Sequence, residues 1–286
     1  MLTPGVVLVA GLLLYPILRT IWLSFHDVGL AELTTGNGPW VGTDNYRRLF
    51  SDGFFWTVMR NTVGLAAACV VLTMALGTLV ALLLQRLPRP VRVLVSIVVL
   101  LPWAMPRVAA SIVWKWLFND QYGVADWLLV RIGLDRFQGF SWFLEPLLAF
   151  TVVTLMVVWQ SFPFIAITML AGLQAVPTEV VEAARVDGAS GWRIFWSITV
   201  PMLRPVILIL VILSSIWDFK IFTQVYVLTE GGPARSTYVL GLYSWLESFT
   251  NLRLGYGAAI ATVMLLILLA ITTGYIRSMR RQGELL

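Results

Sequence analysis

Between Arg60 and Arg86 the chain carries no charged side chain. A helix needs only about 20 mostly apolar residues to cross a hydrocarbon core of about 30 Å, so this stretch is long enough to span a bilayer. Five further apolar stretches stand at 3–25, 91–118, 146–173, 203–228 and 254–276, which with 61–85 makes six candidate spans. Backbone groups in lipid must find their partners within the segment, so each span is predicted to be a helix. No segment shows the in–out alternation of a membrane barrel. The first stretch has no basic region before it and no small-residue cleavage site, so it is predicted to be a retained helix and not a secretion signal. The predicted fold class is therefore all-α: one polytopic domain over 1–286 with six transmembrane helices.

Composition removes the competing classes. Hydrophobic residues make up 59% and charged ones 12%, about half the charged share of a soluble domain, and the mean hydropathy is +0.84. The net charge of +5 comes from basic residues scattered between apolar spans, which argues against nucleic acid as a partner. Cys69 is the sole cysteine and His26 the sole histidine, so neither a disulfide framework nor a multi-histidine metal site is available. Gly188-Ala189-Ser190-Gly191 fits the GxSG pattern of intramembrane serine proteases, but that chemistry needs a histidine base beside the serine, and His26 falls at the far end of the first span. No GxxxxGK[ST] loop occurs, so the chain has no such loop to cradle ATP phosphates. No catalytic residue, metal site or cofactor is expected in this chain.

Arginines orient the spans. Arg86, Arg89, Arg92, Arg185, Arg193, Arg204, Arg277, Arg280 and Arg281 fall on one side; Arg47, Arg48, Arg131, Arg136, Arg235 and Arg253 fall on the other. Nine against six places the first set, and both termini, in the cytoplasm. Three loops then face outward, at 26–60, 119–145 and 229–253, each rich in glycine and aromatic residues and each expected to fold against the helices. The inward loop at 174–201 is different. Thr178 is placed to cap a helix with Glu179 and Glu182 in its first turn; Gly188 and Gly191 break it; and Trp192, Phe195, Trp196 and Ile198 form a second amphipathic run that Pro201 should end. On physical grounds alone this is either a functional helix–turn–helix or an ordinary interfacial amphipathic segment.

The loop reads Glu182-Ala183-Ala184, three residues, Gly188, nine residues, Ile198, one residue, Val200-Pro201. This resembles the EAA loop of bacterial binding-protein-dependent ABC importers, with Val200 where the family pattern has leucine. The outer segment with Gly42, Asn45-Tyr46, Leu49-Phe50, Phe55-Trp56 and Arg60-Asn61-Thr62 is similar to that of carbohydrate-uptake permeases. So are Leu101-Pro102-Trp103-Ala104 with Pro106, Leu117-Phe118-Asn119, and Thr229-Glu230-Gly231-Gly232-Pro233. The tail Arg280-Arg281-Gln282-Gly283-Glu284-Leu285-Leu286 lacks the glycine-rich ending of the MalG-like subunit, so the chain looks MalF-like. Its 18 arginines against 2 lysines further resemble an actinobacterial importer, as in mycobacterial trehalose uptake. The resemblance implies a type I ABC importer permease fold in the bacterial plasma (inner) membrane. It implies coupling to the ATPase through Glu182, Ala183, Ala184, Asp187, Gly188 and Ala189. Implied partners are a MalG-like second permease, two ATP-binding subunits carrying ATP and Mg, and an extracytoplasmic sugar-binding (lipo)protein. The implied substrate is a disaccharide such as trehalose; a permease for another small solute, or an ion-coupled carrier, is the alternative.

Polar groups inside a span are expensive and so are functional candidates. A sugar needs hydrogen-bonding groups and aromatic plates in a solvated cavity. The third span offers Trp103 and Arg107 between prolines. The fourth offers Gln160, Ser161 and Phe164 around Pro163. The fifth offers Ser214, Trp217, Asp218 and Ile221 at helical spacings of three and four, with Ser215, Lys220 and Gln224 nearby. By resemblance to the family's sugar pocket, Trp103, Gln160, Ser161, Phe164, Ser214, Trp217, Asp218 and Ile221 form the candidate substrate set. Helix packing is the alternative for Trp217 and Phe164, and outward snorkelling for Arg107.

Overall fold

A computed structural model of the chain describes residues 3–35 and 38–281. The described residues are helical with one isolated bridge, His26 to Trp40, and no strand. In chain order the helices are α1 (Thr3–Leu23), α2 (Leu30–Thr35), α3 (Asp44–Ser51), α4 (Gly53–Arg86), α5 (Arg89–Ala104), α6 (Arg107–Leu117), α7 (Val124–Arg131), α8 (Pro146–Ala175), α9 (Thr178–Val186), α10 (Gly191–Ile194), α11 (Val200–Phe219), α12 (Thr223–Thr229), α13 (Leu240–Trp245) and α14 (Leu254–Arg281). The tail after Arg281, part of the basis for the MalF-like reading, lies outside the described residues.

The spans depart from expectation in instructive ways. Among the described residues, four helical stretches are long and apolar enough to cross a membrane: α4, α8, the continuous run Gly191–Phe219, and Leu254–Arg277 within α14. The expected third helix at 91–118 is two helices, α5 and α6, bent by 91°. The cause is local. A residue before proline is pushed out of the α region, and Met105, before Pro106, is extended at φ −70°, ψ 137°. α1, Thr3–Leu23, is 21 residues long and stands where the first span was expected. The second span begins at Gly53 rather than at 61. The fifth starts earlier and stops sooner than 203–228: it grows out of α10 and ends at Phe219.

Pro201 does not end the second run of the inward loop. Phe195–Thr199 winds as a π turn, with the Val200 N–H bonded to the Phe195 carbonyl, and the helix continues through Pro201 into α11. In a regular α-helix a proline ring strikes the carbonyl four residues back; a π turn just upstream widens the helix and relieves that clash.

The chain forms two compact units, one of residues 1–64 with 220–274 and one of 65–219 with 275–286. In the second, α8 is apolar all round, and both α5 and α11 pack on it. Its core joins Ala81 and Leu84 of α4, Ile165, Met169, Leu170 and Leu173 of α8, and Leu203 and Leu210 of α11. Close approach depends on missing side chains: a Cβ on Gly77 would lie 2.6 Å from Ile165, and one on Gly172 would lie 2.9 Å from Leu203. Small residues are how membrane helices pack where lipid removes the hydrophobic drive. Outward faces stay apolar, as at Val71, Leu79, Leu83, Leu94, Ile97 and Leu101, a surface suited to lipid and not to water.

In the first unit, one buried and one half-buried amide tie the chain together. Asn45 Nδ2 donates to the carbonyls of Ser24 and His26 at 2.9 and 3.0 Å. Asn61 Nδ2 donates to those of Ser236 and Tyr238 at 2.8 and 3.1 Å. The Thr62 hydroxyl accepts the Leu240 N–H at 2.9 Å, satisfying a free donor at the start of α13. Burial, and then its hydrogen bond with Tyr256, holds the Tyr243 phenol well above its ordinary range, so it remains a neutral donor toward Asp52 Oδ2 at 3.4 Å.

Candidate functional site

The loop at 174–201 presents a short helix closed at its C-terminal end. α9 begins at Thr178, so Thr178 is its first residue and not its cap; Pro177 precedes it and contributes no side-chain bond. At the other end the Gly188 N–H bonds to the Arg185 carbonyl at 3.0 Å and the Ala189 N–H to the Ala184 carbonyl at 2.9 Å. This pair of bonds is a Schellman stop, whose left-handed residue is usually glycine, and Gly188 has φ +80°. The Ser190 side chain then accepts the Arg193 N–H and starts α10. Glu182, Ala183, Asp187 and Gly188 are exposed, Ala184 and Ala189 half-buried. Val186 is 88% exposed and Trp192 is 74% exposed. The loop thus offers apolar side chains and two carboxylates on a short, rigid helix.

The second unit also brings together much of the candidate substrate set. Trp103 of α5 stacks on Phe164 of α8, ring centroids 5.7 Å apart and 18° from parallel. Trp217 of α11 meets the same Phe164 edge-on at 5.4 Å. Three elements therefore converge on one ring. Gln160, one turn before Phe164 on α8, is buried, and its Nε2 donates to the Met105 carbonyl at 2.9 Å. α8 runs through Pro163 without a break. Ser161 is half-buried on α8, and Ser214 is buried on α11.

The other two members of the set, Asp218 and Ile221, stand near the end of α11 and beyond it. Asp218 is buried, with Oδ2 lacking a hydrogen-bond partner among the described residues. Cys69 of α4, Thr154 of α8 and Arg107 at the start of α6 are in its neighbourhood. Ile221 lies in the break between α11 and α12, belongs to the other unit, and is buried there. The sequence reading did not find Cys69, Thr154 or Met105 as neighbours of candidate residues. Cys69 and Thr154 are single polar residues in apolar runs, and Met105 acts through its backbone. No group of three or more potential metal ligands occurs among the described residues.

The sequence signature of the binding-protein-dependent transport system inner membrane component family matches residues 74–281, a segment that contains α9 and the Trp103–Phe164–Trp217 convergence. The chain belongs to that family. Relatives align from end to end. The diacetylchitobiose uptake system permease protein DasB of Streptomyces coelicolor is 41% identical over 99% of this chain and 87% of its own length. The trehalose/maltose transport system permease protein MalF of Thermococcus litoralis is 34% identical over 97% of this chain and 91% of its own. A bacterial ABC transporter for the acidic polysaccharide alginate contains a chain that superposes with TM-score 0.83 at 23% identity, over 98% of this chain and 94% of that one. That likeness shows the all-α type I permease fold. These relatives are membrane permease subunits and not enzymes. The permease described here is accordingly an inner-membrane transport component, not the hydrolytic part of its machine.

Proposed function

We propose that this permease is the MalF-like half of the membrane channel of an ATP-driven importer for a disaccharide such as trehalose. The observation that carries the reading is the exposed helix α9, bearing Glu182-Ala183-Ala184 and closed at Gly188. Such a helix can seat in a cleft of an ATP-binding subunit. Its continuation through α10 and the π turn into α11 gives a stiff route from that cleft to the helix that bears Trp217. In this reading Glu182, Asp187 and the small residues Ala183, Ala184, Gly188 and Ala189 contact the ATPase. Nucleotide-driven closure moves α11 and switches access to the pathway. The partners are a MalG-like permease, two ATP-binding subunits and an extracytoplasmic binding protein, with both termini of this chain in the cytoplasm.

The relatives act on diacetylchitobiose and on trehalose or maltose, as their names state, which supports a disaccharide. The plate of Trp103, Phe164 and Trp217 suits the apolar face of a sugar ring. Ser161 and Ser214 supply polar groups beside it, and Asp218 is the acidic member of the proposed set. The test is ATPase activity of the complete complex in a bilayer, with each sugar presented by the cognate binding protein. Trehalose, maltose and diacetylchitobiose are compared. Stimulation by one of them, lost on Glu182→Ala while the complex still assembles, is the expected result. Movement of solute on an ion gradient without ATP would instead favour a carrier.

A further inference from the structure

At the corner between α5 and α6 the chain turns by 91° inside an apolar span. Met105 and Pro106 are both extended there, with ψ of 137° and 130°. The Met105 N–H keeps a bond to the Pro102 carbonyl at 3.2 Å, but its own carbonyl is swung out of the helical ladder. A bare carbonyl in an apolar span is costly. The Gln160 side chain supplies the donor at 2.9 Å. Gln160 and Phe164 are four residues apart on α8 and therefore share a face; Met105 and Trp103 are two apart on the other side of the clasp. One face of α8 thus holds the corner at two points: an amide on the Met105 carbonyl and a ring under Trp103. The ring contact alone is weak, because Trp103 is 49% exposed, whereas Gln160 is 6% exposed.

We infer that Gln160 is a positioning residue: its carboxamide pins the α5–α6 corner and so fixes Trp103 against Phe164, in place of the direct sugar contact that its position suggests. The consequence for transport rests on the reading of Trp103, Phe164 and Trp217 as the sugar plate; the consequence for the corner does not. Without the amide donor, the Met105 carbonyl is left unpaired, α6 gains freedom about the corner, and Trp103 loses its register over Phe164. Every sugar that uses the plate suffers alike, whatever its hydroxyl pattern.

The experiment uses the complete importer in nanodiscs, with Cys69→Ala and the cysteines of the other subunits replaced. Spin labels are placed at Ile112 of α6 and Leu155 of α8, which are 56% and 46% exposed and outside the clasp, and their separation is measured by double electron–electron resonance. Gln160→Met keeps the length of the side chain and removes the donor. The expected result is a single narrow distance distribution with glutamine, and a broadened or two-peaked one with methionine. Alongside it, KM for sugar-stimulated ATPase rises about tenfold, equally for trehalose and its deoxy analogues, the size expected for losing one buried hydrogen bond. If Gln160→Met does not assemble, Gln160→Asn, a donor one methylene short, must broaden the same distribution. An unchanged distribution in the variant that assembles overturns the inference. So does a KM penalty that disappears for one deoxy sugar, which marks a direct contact. If no sugar stimulates the complex at all, the substrate reading fails while the distance measurement still decides the role of Gln160.

Discussion

Gly188 shows how a motif residue is fixed by backbone conformation. Its φ of +80° closes α9, and a Cβ added there meets nothing within 4 Å. The constraint is thus torsional: the left-handed region costs a residue with a Cβ about 1–2 kcal/mol, and asparagine least. Gly188→Val is expected to abolish most sugar-stimulated ATPase activity and Gly188→Asn to keep most of it; equal losses would mean that a contact made in the complex, and not the Schellman stop, decides the position. Gly255 is the opposite case. Its Cβ would run into the carbonyl oxygen of His26, so Gly255→Ala is expected to lower stability by about 1–3 kcal/mol, the usual cost of overpacking. A shift in the thermal unfolding midpoint in detergent checks it. Gly188 was legible because its role is local. Gly255 was not, because the atom it must clear comes from a residue far away in sequence.

At the scale of elements, the paired amides and hydroxyls of the outer segment carry a prediction of their own. Asn61 bonds two carbonyls of the 236–238 strip, and Thr62 receives the Leu240 N–H. Removing Asn61 leaves two acceptors without their donor, so Asn61→Ala is expected to cost about 1–3 kcal/mol and to speed amide exchange across residues 236–240. Unchanged exchange there would show that the strip is held by its rings instead, such as Arg235 over Phe54 at 3.9 Å. The outer loop at 119–145 folds on the same principle: Asp126 accepts from the Phe140 N–H at 2.8 Å and from the Trp142 Nε1–H at 2.6 Å, and Phe118, Phe137 and Phe140 close around Trp142. Asp126→Ala is expected to make this loop protease-sensitive, because two donors and a half-buried aromatic cluster lose their common anchor. The helical class and the approximate place of the apolar elements followed from hydropathy; the count of six did not, since four helices among the described residues are long and apolar enough to cross and one expected span is a bent pair. Nor did the corner at Met105–Pro106 and the π turn before Pro201, although prolines flagged both. A proline states that regular helix is disturbed; whether the chain turns, winds wider or carries on depends on which neighbour can take up the freed backbone groups.

For the whole molecule, the distribution of arginines orients the proposed assembly, and that orientation is open to direct test. Asp187 and Gln138 are exposed, and Cys69 is buried. In a Cys69→Ala background, Asp187→Cys is expected to react with a membrane-impermeant maleimide only from the cytoplasmic side, and Gln138→Cys only from outside. The reverse pattern would invert the topology and detach α9 from any cytoplasmic ATPase.

Order along the chain makes this an all-helical membrane permease, sets roughly where its apolar runs stand, and marks the loop that carries Glu182-Ala183-Ala184 and Gly188. Those properties depend on runs of neighbouring residues: hydropathy over about 20 positions, a glycine at a helix end, a fixed spacing along one loop. Which polar and aromatic residues meet depends on how the helices pack. Trp103, Phe164 and Trp217 come from three helices and converge; Trp217 and Asp218 are adjacent in the chain and turn to different neighbours, since consecutive side chains on a helix stand about 100° apart. Gln160 looked like a ligand for sugar because it is polar in an apolar span. Its partner is a backbone carbonyl 55 residues away, a group that every residue carries and that no sequence pattern marks as free.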